Sequence, residues 1–152
     1  MPTLVYFEDL EVGSVHVGSN CTCDEAEMLD FALKNDPWPF HLDLVAAAQS
    51  PFGERIASGG FIVTLWYRSL IEVYNTNHRR WVFLGGFDWK LKFVRPLRAG
   101  DSVQARLVVK DKRVSNKPGR GIVTLSTELR SQESEVVCTV EVIVMVSTRG
   151  EP

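Results

Sequence analysis

The segment "FIVTLWYRSLIEVY", residues 61–74, constrains this chain more than any other stretch. At helical spacing its apolar side chains cover nearly the whole circumference, and only Arg68 and Glu72, one turn apart, make a clear polar stripe. A helix of that kind belongs inside a protein rather than on its surface. The β-branched and aromatic content would also suit a strand, but about fourteen residues is long for one. The rest of the chain must therefore wrap a helix.

The residues that follow can do this. In "FDWKLKF", Phe87, Trp89, Leu91 and Phe93 alternate with Asp88, Lys90 and Lys92, which predicts a half-buried strand. "VQARLVV" alternates in the same way after a Gly100-Asp101 turn. "GIVTLSTEL" and "VVCTVEVIVMV" read as two more strands, the last apolar on both faces, and the polar run 110–121 between the strand patterns reads as a hairpin connection. A shorter strand is expected around 13–19. Ahead of the long helix, "TCDEAEMLDFALKND" predicts another, opened by a Thr22/Glu25 capping box and stopped by Pro37. "LVAAAQ" predicts a helical turn N-capped by Asp43. Short helices, one buried helix and four successive strands make an α+β domain, an antiparallel sheet curled around a central helix. The 152 residues suit a single domain, 1–152. One copy alone would leave a sheet edge and the glycine-bearing "FLGGF" face uncovered, so a homodimer or a larger homo-oligomer is expected.

Charge and cysteine usage narrow the function. A formal net charge of -2 gives no reason to expect nucleic acid as a partner. No apolar run reaches membrane-spanning length and the N-terminus lacks a signal-peptide pattern, so no membrane partner is expected. Cys21, Cys23 and Cys138 are an odd number, two of them nearly adjacent, which argues for a reducing, cytoplasmic setting. Cys21-x-Cys23 has no second Cys or His pair nearby, so no metal site is expected. His16 and His78 read as surface or loop residues. The hairpin-tip cations Lys110, Lys112, Arg113, Lys117 and Arg120 read as a solvated turn, with the phosphates of coenzyme A as the alternative.

The chemistry-bearing stretch is "NDPWPFHLD". Asp36 and His41 lie five residues apart with Pro37 and Pro39 between them, and Ser58-Gly59-Gly60 opens the central helix further on. Taken alone, an Asp before one Pro and a His after another are equally turn and capping residues.

Together "YFEDLEVGS", "DPWPFHLD", "SPFGERIASGGF" and "FVRPLRAGDSV" resemble the MaoC-like dehydratase family, hot-dog-fold proteins that include the (R)-specific enoyl-CoA hydratases. The resemblance spans nearly the whole chain. The family signature runs Asp, any residue, Asn, Pro, an aliphatic residue, His, any residue, Asp. Asp36, Pro39, His41 and Asp43 match it, while Trp38 stands where Asn is common. Ser58 stands where the family often has His, and Thr64 where it has a serine early in the helix. The resemblance implies a catalytic dyad of Asp36 and His41, a coenzyme A thioester as substrate and no cofactor. Hydrating an enoyl thioester needs a base for water, an acid for the α-carbon and donors for the enolate oxyanion. Free N–H groups at a helix start supply such donors, so Gly59 and Gly60, with Ser58, are placed at the thioester carbonyl. Relief of crowding where the helix meets the sheet is the other reading of the two glycines. Thr64 is expected to hydrogen-bond the dyad or its water. Trp38 is read as a pocket wall, with core packing as the alternative. The reading is reversible hydration of a trans-2-enoyl-CoA to a 3-hydroxyacyl-CoA. An acyl-CoA thioesterase and a non-catalytic acyl-thioester-binding or subunit protein are the competing functions.

Overall fold

The structure, a computed structural model, describes residues 1–150. Strand β1 (Thr3–Val5), a 3-10 turn (Phe7–Asp9) and strand β2 (Val15–Thr22) come first. Helices α1 (Glu25–Asn35), α2 (Pro39–Leu42), α3 (Leu44–Ala48) and α4 (Gly59–Tyr74) follow. Strands β3 (Arg79–Trp81), β4 (Phe83–Phe93), β5 (Ser102–Val114), β6 (Arg120–Ser131) and β7 (Val136–Ser147) complete the chain. A five-stranded antiparallel sheet runs in the order β2-β5-β6-β7-β4, and β1 pairs separately, in parallel, with β3. The sheet curves around α4 in the hot-dog arrangement.

Period-two burial holds the sheet to the helix. Val103, Ala105, Leu107 and Val109 of β5, and Val123, Leu125 and Leu129 of β6, meet Phe61, Ile62, Leu65 and Leu70 of α4 in one core. Buried side-chain polar groups inside it are hydrogen-bonded, except the Trp81 indole N–H, which has no partner among the described residues. The Trp66 indole N–H donates to Thr127 Oγ1 at 2.7 Å, and that hydroxyl donates to the Val140 carbonyl at 2.7 Å. Ser69 joins α4 to two strands: its hydroxyl donates to the Ser19 carbonyl at 2.6 Å and accepts from the Ala105 amide at 2.8 Å. Gly18 permits that approach, because a Cβ there would overlap the Ser69 carbonyl. The three cysteines are free and buried, and burial, with Asp101 nearby, pushes the Cys23 thiol up to about 12. No group of metal-ligating side chains occurs among the described residues.

Four local expectations need correction. Helix α1 is capped by Asp24, which accepts from the Glu27 amide at 3.0 Å; Thr22 instead ends β2, which runs longer than expected. A four-residue helix, α2, lies inside the Asp36–Asp43 loop, started by Pro39 at its first position. Strand β4 is exposed along nearly all of its length rather than half-buried, because it is the sheet edge and only β7 covers one side of it. Helix α4 is not enclosed all round, since Tyr67 and Ile71 are 56% and 49% exposed. The uncovered faces of β4 and α4 both hold large apolar side chains.

Candidate active site

Helix α1 has to end where Pro37 would need to continue it, and Asp36 becomes its C-cap, its amide donating to the Ala32 carbonyl at 2.9 Å. The chain then turns through Trp38 into α2, whose His41 is 6% exposed. His41 Nδ1 lies 2.8 Å from the Ile56 carbonyl, and Nε2 lies 3.3 Å from Asp36 Oδ2. A carbonyl only accepts, so Nδ1 carries the hydrogen of that bond. In neutral His41 the Nε2 lone pair then faces a carboxylate oxygen. The contact is attractive only when a proton lies between the two groups. Asp36 and His41 are thus close enough to share a hydrogen bond through Nε2 and Oδ2. The Ser58 hydroxyl also donates to Asp36 Oδ2, at 2.8 Å, while Oδ1 has no donor among the described residues. Asp36 is 35% exposed through its side chain, so this carboxylate meets open space while the imidazole stays inside.

That space is a cavity of about 500 Å³. Gly59 and Gly60 line it at the N-terminus of α4, Phe40 and Phe52 at one wall, Phe93 of β4 at another, and Arg95 at its rim. Ser58 occupies the N-cap position of α4 but spends its hydroxyl on Asp36, so no side chain caps the helix. The first amides of the helix therefore keep their hydrogens for something else, at the positive end of the dipole. Sterics require the glycines as well. A Cβ on Gly59 would come within 2.7 Å of the Phe93 ring, and one on Gly60 within 2.8 Å of Phe31. The steric reading of the pair has these contacts behind it, since a side chain at either position would force a phenylalanine ring to move.

Asp36, His41, Ser58, Gly59 and Gly60 are brought together at one place. Thr64 is not among them. Its hydroxyl donates to the Gly60 carbonyl one turn back at 3.1 Å, and the residue does not line the cavity. Trp38 is neither wall nor core: it is 60% exposed and is not among the residues that line the cavity. The chain direction explains this, since Pro37 and Pro39 turn residues 36 and 41 inward and leave residue 38 at the crest between them. Of the hairpin cations, Lys110 pairs with Glu141 at 2.7 Å and Lys112 donates to the Phe7 carbonyl at 3.0 Å; none of the five lines the cavity. Pattern reading missed the Ile56 carbonyl, Phe93 and Arg95. Phe93 and Arg95 had a signal, their place in "FVRPLRAGD"; the Ile56 carbonyl had none.

Comparison with known proteins gives a consistent assignment. The model of the MaoC like domain matches residues 12–130. Protein MaoC of Klebsiella aerogenes is 32% identical over 117 residues, 76% of this chain but 34% of that protein, so the chain spans about a third of its length. A 3-hydroxybutyryl-CoA dehydratase of Methylorubrum extorquens is 30% identical over 149 residues, covering 97% of this chain and 88% of that one. The crystal structure of a MaoC-like dehydratase from Rhodospirillum rubrum superposes with a TM-score of 0.86 at 30% identity, over 97% of this chain and 99% of the other. The match over residues 12–130, with relatives at 30% identity or more over most of the chain, shows that it belongs to the MaoC-like dehydratase family.

Proposed function

We propose that the protein adds water reversibly to a trans-2-enoyl-CoA, giving a 3-hydroxyacyl-CoA, with Asp36 and His41 as its catalytic pair. The observation that carries this reading is the contact of His41 Nε2 with Asp36 Oδ2 beside an apolar cavity, with Nδ1 tied to the Ile56 carbonyl. In the hydration direction the pair starts as carboxylate and imidazolium. Asp36 takes a proton from a water molecule whose oxygen bonds to the β-carbon. The electrons of the double bond move onto the thioester oxygen, where the free amides of Gly59 and Gly60 stabilise the enolate. His41 gives its Nε2 proton to the α-carbon, and the proton now on Asp36 passes to His41 to restore the pair. Both protons move on one face of the substrate, so the addition is syn. The Ser58 hydroxyl keeps the Asp36 carboxylate oriented. Trp38, the clearest departure from the family signature, stands outside the cavity and does not obstruct this chemistry. The name of the Methylorubrum relative supports a CoA thioester as substrate.

The working unit in this reading is a homodimer joined through β4. That strand is the apolar sheet edge, with Phe87, Trp89, Leu91 and Phe93 each more than a third exposed, and an open edge of this kind is a template for a second copy. No helix of the described residues is long and apolar enough to cross a membrane.

A panel of trans-2-enoyl-CoA thioesters, followed both by loss of the conjugated double bond and by release of free thiol, tests the activity. Loss of conjugation without thiol is the expected result. Thiol release with conjugation retained would make the protein a thioesterase, and no turnover of any member would leave a binding or subunit role. Sedimentation at micromolar concentration should show a dimer, and a compact monomer would remove the β4 pairing.

A further inference from the structure

Helix α4 bounds a second cavity, of about 520 Å³, along its C-terminal half. Its walls are aromatic. Trp66 and Trp89 rings stand 5.2 Å apart, Tyr67 and Trp89 5.6 Å, and Tyr74 and Phe83 4.9 Å. Cationic and amide groups enter it at one place only, where Asn75 and Arg80 close the lining. Arg80 Nε donates to Asn75 Oδ1 at 2.9 Å, which ties the two side chains together at the surface. Arg80, like Arg79, Arg106, Arg113 and Arg120, has no ion pair among the described residues, and of these it is the one that lines the cavity. The remaining guanidinium N–H groups and the Asn75 amide N–H are therefore donors at the end of an apolar, aromatic space. Such a space suits an apolar chain that finishes in a carboxylate.

Within one subunit this cavity and the dyad lie at opposite ends of a helix of 16 residues, roughly 24 Å long at the α-helical rise. Both cavities border β4, however: Phe93 at the end of the strand lines the dyad cavity, and Phe83 at its start lines the aromatic one. Antiparallel pairing of two copies through their β4 edges brings Phe93 of one subunit towards Phe83 of the partner subunit. Pairing centred near Asp88 would set the two kinds of cavity against each other across the interface.

We propose that the aromatic cavity of each subunit receives the far end of the acyl chain held at the dyad of the other, and that Asn75 and Arg80 there select chains ending in a carboxylate. The inference rests on the hydratase and dimer readings above and adds to them a substrate class and a contribution in trans. Acyl chains too short to cross the interface do not reach Arg80. Longer chains are held at both ends, by the helix start of one subunit and the guanidinium of the other.

The test compares trans-2-enoyl-CoA thioesters of equal chain length, with and without a terminal carboxylate, across a series of lengths. The ratio of their kcat/KM values is the readout. Wild type should favour the carboxylate by about ten-fold at lengths that cross the interface, the usual size of a hydrogen bond to a charged group. In the Arg80→Gln homodimer the ratio should fall towards one. A mixed dimer of Arg80→Gln with Asp36→Asn, isolated through two different affinity tags, then decides the geometry. Its one live dyad belongs to the Arg80→Gln subunit and faces an intact Arg80, so the ratio should return to the wild-type value. A mixed dimer that keeps the low ratio would overturn the contribution in trans, and a wild-type ratio of one at every length would overturn the selection. Hydration of plain chains in those same assays separates either failure from failure of the hydratase reading; wild type that hydrates nothing would sink both.

Discussion

The two ends of α4 differ in what fills the space beside them. At the N-terminal end the helix begins on Gly59 and Gly60, its cap hydroxyl turned to Asp36, and the neighbouring cavity contains a carboxylate and a buried imidazole. At the C-terminal end it presents Tyr67, Ile71 and Tyr74 to a cavity walled by rings. Burial raises the pKa of the Tyr74 hydroxyl, so this phenol stays protonated and takes no part in acid–base work near neutrality. In the proposed reading one end moves protons and stabilises charge, and the other holds apolar mass. A helix that is apolar nearly all round can serve both, because its two ends meet different parts of the sheet.

The sharpest way to break this contrast is to disable the first end. Asp36→Asn and His41→Ala should each lower turnover by ~10²–10⁴-fold, with circular dichroism unchanged. The double variant should lose little more than the worse single one, because both groups handle the same proton. Near-normal turnover in either single variant would move the chemistry elsewhere, and additive losses would show that the two residues act separately.

The contrast also depends on α4 sitting in a fixed position against β2 and β5, which is what Ser69 provides midway between the ends. Ser69→Ala would leave the Ser19 carbonyl and the Ala105 amide without their shared partner in the interior. Denaturant unfolding should register a loss of about 1–3 kcal/mol. A midpoint that does not move would mean that the helix is positioned by apolar packing alone.

Ser58→Ala sharpens the comparison at the catalytic end. The carboxylate keeps its histidine contact but loses the donor that fixes Oδ2. A positioning residue should affect kcat more than KM, by about ten-fold, the rate equivalent of one hydrogen bond to a charged group. Ser58→Thr, which keeps a hydroxyl, should recover much of the loss. A change confined to KM would instead make Ser58 a substrate contact.

How much of each end could be read from the sequence follows from how local its signals are. The contact of Asp36 with His41 was legible because both sit in one short loop fixed by two prolines, and α4 and β4 to β7 because their periods of 3.6 and 2 persist over ten or more residues. The Ile56 carbonyl that orients His41 carries no side-chain signal, and fifteen residues separate the pair. Strands β1 and β3 have three residues each and exist only through parallel pairing of distant segments. The α1 cap was misassigned because Thr22 and Asp24 are both good caps, and β2 takes Thr22. The alternation of Phe87, Trp89, Leu91 and Phe93 predicts a strand correctly but cannot say that a sheet edge leaves those side chains uncovered. The aromatic cavity was illegible for the same reason, since its rings come from α4, β3 and β4 and look in sequence like ordinary core.

Trp38 gives the smallest expected effect, and its sign is informative. From the motif alone an indole inside the dyad loop should narrow the acyl pocket, so that Trp38→Asn would broaden chain selection. The structure puts the ring on the surface, where substitutions usually change stability by no more than about 0.5 kcal/mol. Trp38 is also the N-cap of α2, with φ -72 and ψ 143, and it makes no side-chain cap bond. Asparagine is among the best N-cap residues, because its side-chain oxygen accepts from an amide in the first turn. Trp38→Asn should therefore raise the melting temperature slightly or leave it unchanged, and every ratio of kcat/KM among enoyl chain lengths should stay as in wild type. A sharp drop in melting temperature would show that the indole is covered in the assembled protein. Altered chain ratios at constant stability would show that it meets substrate across the subunit boundary, making the loop crest part of the site.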